Sequence, residues 1–131
     1  MDAYIFFDKR RGPISAPWHL VCNRNWSHCL ALIDDGDKSI VCEQLAGGLA
    51  ILKGSSVQKE IDNWKNFDGT AIVKYPMPKD FGTRFRWRGI MTCVSIVKAI
   101  LRIENPFIVS PKGLFQYLVR NGGTIIFQKD F

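Results

Sequence analysis

The chain of 131 residues is 47% hydrophobic and 23% charged, which excludes a disordered segment and suits one domain, taken as 1–131, with a core of its own. Its formal net charge of +6 favours acidic partners such as nucleic acid, a phosphate-rich surface or an anionic polymer, with solubility alone as the plain alternative. No apolar run reaches the roughly 18–20 residues of a membrane span, and the opening MDAYIFFDKRRG lacks the pattern of a secretory signal, so the expectation is a soluble protein with reduced thiols.

AYIFF reads as a first short strand and KRRGP as the turn after it. Ser27 to Ile33 and Ser39 to Leu45 are strand-like runs on either side of DDGD, and Asp-Gly is a strong hairpin signal. GGLAILKG supplies the next strand. In SSVQKEIDNWKNF, Val57, Ile61 and Trp64 fall at helical spacing behind Ser55 or Ser56 as cap. TAIVKYP is a further strand, ended by PMP, and TRFRWR another. Thr92 can cap a helix over CVSIVKAILRI that stops before ENP, since proline disfavours helix in its predecessor. Ser110, Pro111 and Gly122 punctuate a last helix, with Leu114, Phe115 and Leu118 as its packing face. TIIFQKDF is a short strand or an ordered tail. The fold class that follows is α+β, an antiparallel sheet packed against about three helices.

Placing Asp35-Gly36 at the centre of the hairpin turn sets Asp34 opposite Asp37. Continuing that register sets Leu30 opposite Val41 and His28 opposite Glu43 on one face, with Cys29 opposite Cys42 and Ala31 opposite Ile40 on the other, core-like face. An imidazole beside a carboxylate is either a surface pair worth ~0.5 kcal/mol or the oriented base of a catalytic set. Cys93 bears on the choice. At the first turn of a helix it meets the positive end of the macrodipole and free N–H groups, the setting that favours a thiolate. The alternative for Cys93 is a buried, inert thiol. Cys22, Cys29 and Cys42 lie in or near apolar strands, where a thiol acts as a small hydrophobe. No CxxC pair, histidine cluster or nucleotide-binding glycine loop is present, so no metal and no cofactor is expected. His19, beside Trp18, has no acid or cysteine at a useful register and reads as structural.

A strand histidine, a strand acid and then a helix-initial cysteine, carried by WSHCLALI, VCEQLAGGLAIL and TCVSIVKAILRIENPFIVSPKGLFQYL, resembles the circularly permuted papain-like proteins, relatives of the NlpC-type cysteine peptidases and amidases. The last segment is similar to small phage-encoded and bacterial members. The resemblance covers roughly Trp26 to Leu118. It implies a permuted papain-like fold and a thiol hydrolase acting on an amide, isopeptide or ester, with peptides or cell-wall-like cross-links as substrates. Cys93 would be the nucleophile, His28 the general base and Glu43 the third member. Gln44 is the alternative to Glu43, but strand alternation turns it the other way. Asn25 and Trp26 are the candidates for an oxyanion side-chain donor. The alternative function is a catalytically silent virion or assembly component, or a nucleic-acid-associated binding domain, on the same fold. Either setting places the protein in a host cytoplasm or a virion, with other virion proteins among its partners.

RFRWR sets Arg84, Arg86 and Arg88 on one strand face and Phe85 and Trp87 on the other. The three arginines with Trp87 and Trp26 are candidate substrate-binding residues, or a surface for phosphate and base stacking. A solvated basic face over a buried aromatic face is the plain alternative. Lys9, Arg10 and Arg11 add further positive charge.

Overall fold

Alternation of large apolar residues along AYIFF and HCLALI has no polar face, which demands a sheet covered on both sides. The computed structural model, which describes residues 2–8, 28–45, 48–78 and 92–129, has that arrangement. The strands are β1 (Asp2–Asp8), β2 (His28–Asp34), β3 (Ser39–Leu45), β4 (Gly48–Gly54), β5 (Thr70–Pro76) and β6 (Thr124–Lys129). They form one antiparallel sheet in the order β4-β3-β2-β1-β5-β6. The helices are α1 (Val57–Trp64), α2 (Cys93–Leu101) and α3 (Pro111–Arg120). The α+β architecture expected from the sequence is the one observed, and TIIFQKDF contributes a strand. No helix among the described residues is long and apolar enough to cross a membrane.

Each face of the sheet has its own core. Ala3, Ile5 and Phe7 of β1, Cys29, Ala31 and Ile33 of β2, and Ala71 and Val73 of β5 pack under α2 and α3 through Val94, Val97, Leu101, Leu114 and Leu118. Phe6, Leu30, Leu32 and Ile72 face the other way, onto Val57 and Ile61 of α1. Trp64 meets Phe6 edge-on, with centroids 4.9 Å apart at 87°. Fully burying a side chain such as Phe6 or Leu32 contributes about 1.5–3 kcal/mol, so β1 and β2 anchor the fold. The α3 face is as the sequence indicates: Leu114 and Leu118 are buried, and Phe115 packs edge-on against Phe7. The chain leaves α3 through Gly122, at φ +99°, and Gly123, whose N–H donates to the Leu118 carbonyl at 2.7 Å. A Cβ on Gly123 would lie 2.6 Å from that carbonyl oxygen, so the passage into β6 needs a residue without one.

The hairpin between β2 and β3 departs from expectation. Asp34 pairs with Ser39, Leu32 with Val41 and Ala31 with Cys42, a register two residues away from the one set by an Asp35-Gly36 turn. Cys29 is therefore not opposite Cys42, nor Ala31 opposite Ile40. The loop is closed by Asp35 N–H to the Lys38 carbonyl at 3.0 Å, while Asp34 Oδ1 accepts from the Gly36 N–H at 3.0 Å. This side-chain turn at Asp34 lengthens the loop. The Ser39 hydroxyl, donating to the Ser55 carbonyl at 2.7 Å, holds Ser39 within the sheet. A shift of two keeps every side chain on its expected face, because the strand period is two.

Helix α2 begins as its sequence predicts. Thr92 Oγ1 accepts from the Ser95 N–H at 3.0 Å, and Ser95 Oγ accepts from the Thr92 N–H at 2.7 Å, a reciprocal capping box. The helix ends at Leu101, with Arg102 in the left-handed region at φ 56°. Lys98 then ties down the following turn by donating to the Asn105 and Ile108 carbonyls at 2.6 and 2.9 Å. Thr92→Ala removes the cap acceptor and should cost about 1 kcal/mol, read as a lower urea midpoint at unchanged slope; a midpoint equal to wild type would show that the box does not hold the helix start.

Candidate active site

The β2–β3 ladder runs from Asp34 and Ser39 as far as Ala31 and Cys42. Beyond it, among the described residues, the first residues of β2 pair with β1 alone, Cys29 with Phe7 and His28 with Asp8. The last residues of β3 pair with β4 alone, Glu43 with Ala50 and Gln44 with Leu49. The two strands therefore part at one end of the sheet. His28 and Glu43 are not directly opposed, as the expected register had them. Their side chains nevertheless meet across this opening, with His28 Nε2 2.8 Å from Glu43 Oε1. The pair is not on an edge strand either: β2 is interior, His28 is 5% exposed, and the Glu43 side chain is 23% exposed.

Cys93 is the first residue of α2 and is partly buried against the core that holds Cys29. Its thiol is lowered from 9.0 to about 4. The largest cause is a hydrogen bond from the Cys29 thiol. Burial opposes the shift, and the hydrogen bond and charge of His28, with a hydrogen bond from the Cys29 backbone N–H, complete it. His28 moves the opposite way. Burial pulls it down, but the hydrogen bond and charge of Cys93, the hydrogen bond to Glu43 and the charge of Asp8 together raise it above 6.5. The two shifts agree on one state, a Cys93 thiolate beside a His28 imidazolium, since each ionised group favours the other. Cys42, buried in the sheet, is pushed up from 9.0 by desolvation.

The start of α2 offers more than position. The Ser95 N–H is taken by Thr92 Oγ1 and the Ile96 N–H by the Thr92 carbonyl. Helix geometry leaves the Cys93 and Val94 N–H groups without an intrahelical acceptor. Two donors thus accompany the sulfur at the positive end of the helix.

Of the residues singled out by sequence, the structure brings together Cys93, His28 and Glu43. Gln44 lies on the opposite strand face from Glu43. Asn25, Trp26, Arg84, Arg86, Trp87 and Arg88 lie outside the described residues, as do His19, Cys22, the basic turn at Lys9 to Arg11 and the strand expected over TRFRWR. Two neighbours escaped the sequence reading. Cys29, read as a core hydrophobe, is both buried and a donor to Cys93; its place directly after His28 was the available signal. Asp8, which falls between the expected strand AYIFF and the turn KRRGP, stands across from His28. Among the described residues no group of three or more His, Cys, Asp or Glu is arranged to hold a metal ion. No protein-family model, curated protein or solved structure matches the chain.

Proposed function

We propose that this chain is a thiol hydrolase of the permuted papain-like kind, cleaving an amide, isopeptide or ester bond. The observation that carries the reading is the grouping of Cys93, at a helix start, with His28 as its hydrogen-bond partner and Glu43 hydrogen-bonded to the ring at 2.8 Å. A peptide or cell-wall-like cross-link is the substrate class, and a phage setting, in virion or host cytoplasm, is the context that the sequence resemblance implies.

The chemistry follows from the groups present. The Cys93 thiolate adds to the carbonyl carbon, and the carbonyl π electrons move to oxygen. The Cys93 and Val94 N–H groups are the donors for that oxyanion. As the oxyanion collapses, the bond to the leaving group breaks, and the His28 imidazolium gives its proton to the departing amine or alkoxide. His28, now neutral, takes a proton from water as the oxygen attacks the thioester. Collapse of the second tetrahedral adduct expels the Cys93 thiolate, releases the acid and restores the imidazolium. Glu43 keeps the ring oriented through both halves.

An activated ester tests this without knowledge of the natural substrate. p-Nitrophenyl acetate should place a hydroxylamine-labile acetyl group on Cys93, located by peptide mass spectrometry, and turnover should disappear in Cys93→Ser with the fold retained. Acetylation spread evenly over the cysteines and lysines of a folded protein would overturn the reading. It would favour the second one, a silent assembly or nucleic-acid-binding domain, which draws on the net charge of +6 and weakens its hold on polyanions as salt rises.

A further inference from the structure

His28 sits on β2 between β1 and β3, and each of these strands carries a carboxylate beside it. Glu43 comes from β3, at 2.8 Å from the ring. Asp8 comes from β1 as the direct cross-strand partner of His28, and directly opposed residues share a face with Cβ atoms about 4.5–5.5 Å apart. We propose that Asp8 is a positioning residue of this site, a second carboxylate that holds the His28 ring as imidazolium from the strand opposite Glu43. The inference rests on the hydrolase reading for its consequence, but its geometry does not.

Three features favour the assignment. Asp8 closes a strand whose preceding five residues, AYIFF, are otherwise apolar or aromatic, so a charge at this position is not part of the core pattern. On its other side Asp8 is paired with Thr70, an uncharged residue that is 1% exposed, so β5 brings no cation to Asp8 in this row. Its charge is also among the causes that raise His28. The groups that act on the ring among the described residues are thus Cys93 from α2, Glu43 from β3 and Asp8 from β1. Two carboxylates around one imidazolium keep the ring charged as pH rises, because each favours its cationic form. The site then works as a preformed thiolate–imidazolium pair, with a proton always ready for the leaving group, instead of relying on His28 to deprotonate a neutral thiol during attack.

The chain has two histidines, so the His28 ring proton can be followed by NMR, assigned with His19→Gln. Asp8→Asn should move the His28 titration midpoint to lower pH, and Asp8→Glu should hold it near wild type. Asp8→Ser, with a smaller side chain, should repeat the Asn result if the amide crowds the site. The high-pH limb of Cys93 alkylation, where His28 loses its proton, should move down with the midpoint. Titration curves of folded Asp8→Asn or Asp8→Ser that coincide with wild type would overturn the proposal. A protein that fails to be acylated at Cys93 yet shows the shift would sink the hydrolase reading and leave the Asp8 assignment standing.

Discussion

Iodoacetamide at pH 5 should alkylate Cys93 well ahead of Cys42. With its thiol at about 4, Cys93 is mostly thiolate there, whereas Cys42, raised above 9.0, is ionised to less than about one part in 10⁴. A weakly basic thiolate is also a weaker nucleophile. Even with Cys42 held at its ordinary 9.0, a Brønsted slope of 0.4–0.5 over the gap to Cys93 costs Cys93 about 100- to 300-fold in intrinsic reactivity. The ionisation advantage wins in acid, leaving Cys93 faster by about 30- to 100-fold at pH 5 before access is counted. Access adds to this, because Cys42 is 6% exposed and Cys93 is only partly buried. The chemical advantage should shrink toward pH 7 and above as Cys42 ionises. Peptide mapping of labelling against pH reads the whole curve. Equal labelling of the two thiols at pH 5 would mean that Cys93 is an ordinary thiol.

Replacing His28 by Ala should have the other large effect. The Cys93 sulfur would lose one of its hydrogen bonds and the positive charge of the ring, leaving the Cys29 thiol and N–H as donors. Loss of an adjacent opposite charge is worth one to three pH units, so the midpoint of the Cys93 labelling curve against pH should move up by about that much. Hydrolysis of the activated ester should fall further, by about 10²–10⁴, because the proton donor goes with the ring. Stability should drop as well. Glu43, its side chain 23% exposed, can turn to water, so the unpaired carboxylate costs about 1–3 kcal/mol and not the larger penalty of a sealed charge. His28→Gln keeps a polar group of similar reach without the charge and separates the two losses: it should recover much of the stability and little of the labelling. Cys93 reactivity unchanged in a folded His28→Ala protein would show that the thiol does not depend on the ring.

The elements that position the site are legible in the sequence because each rests on local chemistry. The helix start at Cys93 is announced by Thr92, the last helix by Ser110 and Pro111, and the strands by uninterrupted β-branched and aromatic runs. The hairpin register is less legible, since it depends on whether the Asp34 side chain accepts from Gly36 or leaves the turn to the backbone. The proximity of His28 and Glu43 survived that error because the strands part where the two residues lie, and side chains of their length reach across. Asp8 and Cys29 were hidden for a different reason. Their contribution depends on β1 lying beside β2 and on α2 lying over Cys29, and pairing between elements distant in the chain leaves no local mark.

The place of β1 also bears on how the chain reaches its native form. Its partners are β2 on one side and β5 on the other, so an early segment becomes an inner plank of the sheet only after a much later one is available. Until then one of its edges is an open template, apolar on both surfaces, and such edges invite mispairing and association. Assembly through contacts this remote in sequence is slow by nature. Pairing of residues 70–76 with Asp2–Asp8 is the step that closes this edge.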